Sequence, residues 1–225
     1  MYLIHNVFKF PITNKYREKY GLKHYDFLDI IKSGKLRSSS KTKNVGMFGR
    51  TKGSKHIFLR IDQDYDLGNI YLDPSFLLNT SFYLQIGWDD GLPNTKKIDG
   101  RKLSKEQLEQ LLKKFSKEVK KHIIRKSFDL DEDEIIIDDD KVDEKYNKLD
   151  INDIKRFVGH SNEILVENNI DLKKYLRKII LTKKLDGYEK KDEIIEIVKQ
   201  MYPNVEFKDC KRKSKLDDYV CEKLL

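Results

Sequence analysis

The stretch SNEILVENNIDLKKYLRKIIL, residues 161–181, contains two apolar runs separated by a polar break. A single acid, Glu163, directly precedes the first run, Ile-Leu-Val. Short apolar runs bounded by polar residues are typical of buried strands, so we expect strands at EILVE and KYLRKIIL. The carboxylate at the start of the first strand has two interpretations. It is either an acid that ends the strand toward water or a catalytic group at a sheet edge.

The composition limits the class of protein. The chain has 225 residues, which suits one large domain or one domain with an insertion. Hydrophobic residues make up 38% and charged residues 37%, which is consistent with helices that have long charged faces. The net charge is +8, and a basic excess favours encounter with phosphates or an acidic surface. A lysine-rich composition without any such partner is the alternative.

The cysteines and the apolar segments bear on the compartment. Cys210 and Cys221 lack metal-ligand spacing and have no nearby histidine, so we expect reduced thiols. No window reaches the roughly 18 apolar residues of a membrane span, and the N-terminal sequence lacks signal-peptide features. The common nucleotide-loop, zinc-protease and paired-cysteine motifs are missing. We therefore expect a soluble, cytoplasmic protein with no membrane partner and no metal site.

The order of elements predicts an α+β fold. Apolar patterns predict strands at 2–8, 56–61, 69–73, 81–88 and 205–209, and helices at 22–33, 101–126, 152–160 and 188–202. Gly34 fits the end of the first helix, and Ser104 with Gln107 fits a capping box at the start of the second. The Ser-, Gly- and Lys-rich residues 35–55 predict a mobile loop.

Two segments of opposite charge lie in the middle of the chain. The helix predicted at 101–126 is the most basic element, and the run 129–144 is strongly acidic. Such a run is usually a solvated loop, although it could also fold against the basic helix and neutralise it. We interpret 95–150 as a helical and acidic insertion within one domain spanning 1–225, and 211–225 as a loose basic tail.

Three segments together resemble the ADP-ribosyltransferase-like superfamily, over roughly 1–90 and 155–210. YLIHNVF…FLDIIKSGKLRSSS resembles the family's first strand and following helix. HIFLRIDQDYDLGNIYLD resembles its second element, a strand followed by a hairpin into an apolar strand that ends in Asp. NEILVENNIDLKKYLRKIIL is similar to its last element, a Glu followed by apolar residues. The DNA-modifying DarT toxins and the PARP-like transferases are the members it resembles most.

The resemblance implies a split, twisted sheet with flanking helices, and transfer of ADP-ribose from NAD⁺ to a macromolecule. Glu163 would be the catalytic carboxylate, stabilising the cation-like ribose and orienting the acceptor. His5 would hydrogen-bond the adenosine-side ribose, and Arg60 would hold the pyrophosphate or a substrate phosphate. The loop 35–55 would cover NAD⁺, and the basic helix 101–126 would capture DNA or RNA. The aromatic candidates for the nicotinamide ring are Tyr65, Tyr71 and Phe82.

The sequence departs from the family at two places. Ser161 stands two residues before Glu163, where arginine-modifying members have Glu or Gln, so arginine is disfavoured as the acceptor. The second strand, 57–60, lacks the Ser or Thr often seen there. The alternative is a non-catalytic α+β domain that binds nucleic acid or a protein. In that case His5 is a satisfied core or edge histidine and Arg60 is a surface ion-pair partner.

The Lys- and Asn-rich composition suggests an AT-rich genome. A toxin or viral effector, acting in the cytoplasm of a bacterium or of an infected host cell, fits such a source.

Overall fold

The protein is described from a computed structural model, and it has an α+β fold. Its described residues divide into two compact units, Met1–Phe76 with Val166–Leu225 (unit 1) and Leu77–Leu165 (unit 2). Unit 2 therefore includes part of the chain before the predicted insertion 95–150. The structure describes residues 1–6, 27–36, 57–61, 69–89, 92–128, 138–150, 163–166, 168–182, 191–212 and 219–225.

Unit 1 is built on a mixed sheet with the strand order β11-β10-β9-β4-β1-β3. Neighbouring strands are antiparallel except for β9 and β10, which are parallel. Helices α1 and α5 pack against each other in this unit. Its elements are β1 (Leu3–Asn6), α1 (Phe27–Ser33), β2 (Lys35–Leu36), β3 (Ile57–Ile61), β4 (Asn69–Leu72), β8 (Ile170–Asp171), α4 (Leu172–Tyr175), β9 (Leu176–Thr182), α5 (Lys191–Met201), β10 (Glu206–Arg212) and β11 (Tyr219–Lys223).

Local signals explain the helix ends of unit 1. Gly34 has φ 64°, a conformation that favours glycine, and its N–H donates to Ile31 O at 3.2 Å, which confirms the predicted end of α1. The strand predicted to start at Lys174 starts instead at Leu176. A short helix precedes it because Asp171 accepts a hydrogen bond from Lys173 N at 3.0 Å and caps that turn.

The end of β4 is fixed by a second carboxylate. Asp73 accepts a hydrogen bond from Ser75 N at 2.9 Å, which begins a 3₁₀ helix at Pro74–Asn79, and pairs with Arg177 at 3.0 Å. Partial burial raises the pKa of Asp73, but these hydrogen bonds and the charge of Arg177 outweigh it, so the pKa lies below 3.8. Asp73 therefore has a structural role: it caps the 3₁₀ helix and pairs with Arg177.

The expectation of two reduced thiols was wrong. Cys210 on β10 and Cys221 on β11 are directly opposite in the register, with 4.0 Å between their Cα atoms, and they form a disulfide. The expectation of a loose tail was also wrong for Tyr219–Lys223, since these residues form strand β11. The pairing of β10 with β11 produces both the disulfide and the strand in the tail. The sequence between these strands has no pattern typical of a β-hairpin turn.

Unit 2 combines strands with a long helix. Its elements are β5 (Ser81–Asp89), β6 (Leu92–Asp99), a 3₁₀ turn (Gly100–Lys102), α2 (Lys105–Ser127), a 3₁₀ turn (Asp139–Lys141), α3 (Val142–Asn147) and β7, which spans Glu163–Val166 and lies in this unit up to Leu165. The strand order is β7-β5-β6, and β5 and β6 form an antiparallel hairpin. The apolar residues of α2 form one buried stripe, namely Leu108, Leu112, Phe115, Val119, Ile123 and Ile124.

The start of α2 follows the sequence pattern. Ser104 Oγ accepts from Gln107 N at 3.1 Å, and Gln107 Oε1 accepts from Ser104 N at 2.8 Å, which confirms the capping box. Gly100 lies just before, where a Cβ would be 1.8 Å from Leu77 O, so only glycine fits without movement of the backbone. No helix among the described residues is long and apolar enough to span a membrane.

Candidate functional site

Glu163 is the first residue of β7 and is 4% exposed. The three residues after it are also buried, as expected for an Ile-Leu-Val run inside a sheet. Among the residues whose burial is described, Glu163 is the one buried residue of a charged type (Asp, Glu, Lys or Arg). Acidic side chains are rarely buried unless the surroundings stabilise them or they have a chemical role.

Gln85 on β5 is a second buried polar group of unit 2, and β5 is the neighbour of β7 in the strand order. Its side-chain amide oxygen and nitrogen are both buried, and neither has a hydrogen-bond partner in the described part of the chain. Leaving such atoms unsatisfied costs about 1 to 3 kcal/mol each. Nothing in the pattern of SFYLQIGW distinguishes Gln85, because the stretch is typical of an ordinary strand.

The other predicted contacts lie in unit 1. The backbone register pairs His5 with Ile70, and it pairs Ile4 with both Tyr71 and Arg60. His5 is half-buried on β1, and Tyr71 is 8% exposed on β4. The two strands that carry His5 and Tyr71 are therefore direct neighbours, as are those that carry His5 and Arg60.

Neighbouring strands do not bring His5 and Tyr71 onto one surface. Residues directly opposite in an antiparallel pair project to the same face, and successive residues alternate. Tyr71 therefore shares a face with Ile4, while His5 shares the other face with Ile70. The sheet itself separates the two side chains, so a ligand held against one face of β1 and β4 contacts only one of them.

The Tyr71 side chain is packed inside unit 1. It belongs to a buried cluster with Ile4, Ile180 and Cys210. Its ring meets Tyr2 edge-on, with 6.1 Å between ring centroids, and the Lys178 amine lies 5.4 Å from its centroid. These contacts explain the burial of Tyr71 by packing alone.

The predicted site residues divide between the units. His5, Arg60 and Tyr71 belong to unit 1, and Glu163 belongs to unit 2. Phe82, a third aromatic candidate, also lies in unit 2 and is completely buried on β5. Tyr65, Ser161, most of the predicted lid 35–55 and the helix predicted at 152–160 lie outside the described residues.

The polar face of α2 is a second candidate surface. Residues 105–127 carry eight Lys or Arg side chains against three Glu. Residues 113, 114, 117 and 121 are spaced by one, three and four positions, which places them along one side of the helix. Lys113 pairs with Glu109 at 3.1 Å, whereas Lys114 and Lys117 form no ion pair within the described ranges.

Comparison with known proteins adds no relative. No protein-family model, no curated protein and no solved structure matches the chain. The described residues also contain no group of three or more His, Cys, Asp and Glu side chains that could hold a metal ion.

Proposed function

We propose that the protein is an NAD⁺-dependent ADP-ribosyltransferase of ADP-ribosyltransferase-like fold, with Glu163 as its catalytic carboxylate. The observation that supports this most is the burial of Glu163, since it is 4% exposed at the start of an apolar strand. A strand-end acid with no role beyond solubility would face water. The order of the three family-like segments along the chain supports the same proposal.

In the proposed reaction the bond between ribose C1′ and the nicotinamide nitrogen breaks, and its electron pair leaves with nicotinamide. The ribose gains positive charge, which a fixed carboxylate in a low-dielectric site stabilises more strongly than water does. A nucleophile of the acceptor forms the new bond to C1′, and Glu163 accepts its proton. The acceptor in this proposal is a macromolecule, with nucleic acid as the first class to test.

His5 is the proposed contact for the adenosine-side ribose, because the family resemblance assigns this role to the first strand and His5 is half-buried there. Since Tyr71 lies on the opposite face of the sheet, we assign it no contact with the same part of NAD⁺. His5→Ala is therefore expected to weaken NAD⁺ binding, whereas Tyr71→Phe is expected to leave it unchanged. Calorimetric titration of both variants with NAD⁺ measures the difference.

Nicotinamide release from NAD⁺ tests the catalytic role of Glu163. Glu163→Gln keeps the side-chain size and is expected to lower the rate by about 100-fold or more. Glu206→Gln is the matched control, because Glu206 is also a glutamate on a strand but its side chain is 41% exposed. Absence of NAD⁺ binding at millimolar concentration, or an unchanged rate in a folded Glu163→Gln variant, would refute the proposal.

The lysines on the polar face of α2 favour a second candidate, a protein that binds nucleic acid without reacting with NAD⁺. Lys114 is exposed, Lys117 is half-buried, and both belong to the row described above. Phosphate binding by such side chains releases counterions, so affinity falls as salt rises. Oligonucleotide binding with that salt dependence, together with no nicotinamide release, would select this candidate. Binding that does not respond to salt would contradict it.

A further inference from the structure

Three lysines of α2 form a row along one side of the helix. The row ends beneath the acidic segment Asp138–Glu144. Lys114, Lys117 and Lys121 are separated by three and four residues, and the helix rises about 4.5 and 6 Å between them. Their exposure decreases along the row, from an exposed Lys114 to a Lys121 side chain that is 17% exposed. Something in the chain therefore covers one end of an otherwise accessible basic surface.

Asp139 provides that cover. Its carboxylate accepts a hydrogen bond from the Lys121 amine. This hydrogen bond lowers the pKa of Asp139 below 3.8, and the positive charges of Lys117 and Lys114 lower it further. One carboxylate thus lies in the field of all three lysines, in the position that a phosphate on this surface would take.

A second carboxylate lies beside the first. Asp143 accepts a hydrogen bond from the amine of Lys120 at 2.8 Å. The same amine lies 5.4 Å from the centroid of the Tyr146 ring, so α3 contacts Lys120 through both charge and an aromatic face. The acidic segment therefore presents two negative charges to the C-terminal half of α2.

Apolar contacts, rather than these charges, hold the acidic segment in place. Val142, Tyr146 and Leu149 are each at most 8% exposed, and α3 packs against α2. The Asp139 and Asp143 side chains are 58% and 66% exposed, and ion pairs at such exposure add little to stability. The two carboxylates can therefore leave the lysines, or be replaced, while the segment remains docked.

We propose that the acidic segment Asp138–Glu144 is a built-in competitor of nucleic acid, occupying the lysine row of α2 until a phosphate backbone displaces its carboxylates. The occupant is nucleic acid because the row offers regularly spaced single charges, which match a chain of phosphates. This inference rests on the proposed binding of nucleic acid. The competing carboxylates set a minimum affinity for binding, because weakly binding polyanions would fail to displace Asp139 and Asp143.

The test compares charge-matched variants of the full chain. Asp139→Asn with Asp143→Asn removes the two carboxylates that contact α2. Asp140→Asn with Glu144→Gln is the control, because it changes the net charge equally. Asp140 forms no ion pair among the described residues, and Glu144 pairs with Lys148, at the end of α3, rather than with α2. Circular dichroism and thermal unfolding establish that both variants are folded.

The readout is the affinity for a labelled oligothymidylate at several salt concentrations. Freeing Lys121 of the row and the adjacent Lys120 is expected to tighten binding about tenfold relative to the control, and to steepen the slope of log K against log salt by about 1.4, since each of the two single-strand phosphate contacts adds about 0.7. Lys120→Gln with Lys121→Gln in the freed variant is expected to reverse most of the gain, because these are the lysines that Asp143 and Asp139 contact.

The outcomes separate the two ideas. If the wild type binds and the freed variant equals its control, the competitor role is refuted and nucleic-acid binding stands. If neither the wild type nor the freed variant binds, both are refuted. Binding of the freed variant to phosphatidylserine vesicles but not to oligonucleotide would overturn the choice of occupant.

Discussion

Tyr202, the residue after helix α5, is hydrogen-bonded to helix α1. Its hydroxyl donates to Ile31 O at 2.7 Å, and its side chain is 3% exposed. Burial raises the pKa of Tyr202 from 10.0 to about 12, and the negative charge of Asp171 adds to the rise. The hydroxyl should therefore stabilise the fold at neutral pH and destabilise it at high pH.

Replacing Tyr202 with Phe separates the two effects. The ring and its packing remain, and Ile31 O keeps its hydrogen bond from Gly34 N, so no carbonyl is left without a donor. We therefore expect a loss of about 1 kcal/mol in the free energy of unfolding at pH 7, the net value of an ordinary hydrogen bond.

The alkaline range reverses the order of stability. Because the folded pKa lies above the unfolded value, the contribution of Tyr202 is complete below pH 10 and is lost as the pH rises through about 12. Each pKa unit corresponds to about 1.4 kcal/mol, so the wild type loses about 2 kcal/mol by about pH 12, where the folded tyrosine is half ionised. The Phe variant should therefore become the more stable protein by about 1 kcal/mol at the top of the window.

Urea unfolding followed by circular dichroism, at pH 7 and in steps from pH 10 to pH 12, measures both values. Deprotonation of lysines affects every variant, so the quantity of interest is the difference between wild type and Tyr202→Phe. Tyr2→Phe is the control, because Tyr2 is 44% exposed. A difference that stays constant from pH 7 to pH 12 would refute the argument that the buried phenol is kept neutral.

Three further predictions concern structure. Gly100→Ala is expected to cost about 3 kcal/mol or more, seen as a lower denaturant midpoint, since the added Cβ meets Leu77 O at 1.8 Å; a midpoint unchanged from wild type would contradict this. The lowered pKa of Asp73 stabilises the fold above pH 3.8, and this stability is lost as the pH falls through the folded pKa. The free energy of unfolding of Asp73→Asn should therefore fall less steeply than that of the wild type as the pH is lowered; equal slopes for the two proteins would argue against this. Thiol titration under denaturing conditions should find no thiol before reduction, and reduction of Cys210–Cys221 should lower stability by about 2 to 3 kcal/mol; thiols present before reduction would rule out the pairing.

The elements that were predictable are those with local signals. The capping box of α2 depends on Ser104 and Gln107, three residues apart, and the end of α1 depends on Gly34 alone. These interactions form within a turn or two of the chain, so residue type and spacing determine them. The basic stripe of α2 was likewise visible, because helical periodicity fixes which lysines share a side.

The features that were missed depend on pairing between distant or irregularly spaced segments. The disulfide requires β11 to align with β10 in one register. The charges alone left open whether the acidic run folds against α2, and the ion pair of Asp139 with Lys121 decides this for Asp138–Glu144. Gln85 became notable only when its burial and its lack of partners in the described residues were known. Spacing along the chain predicts none of these, because tertiary contacts decide them.

Strand register also determines which candidate residues can cooperate. Along β1 and β4, His5 is opposite Ile70 rather than Tyr71, and a shift of one residue would have put His5 and Tyr71 on the same face. With the observed register, the β4 residues on the His5 face are Ile70 and Leu72, which are both completely buried and apolar. Polar contacts to a ligand at His5 must therefore come from elements other than β4. A sequence motif can therefore identify suitable residue types whose side chains nevertheless lie on opposite faces of the sheet, as His5 and Tyr71 do.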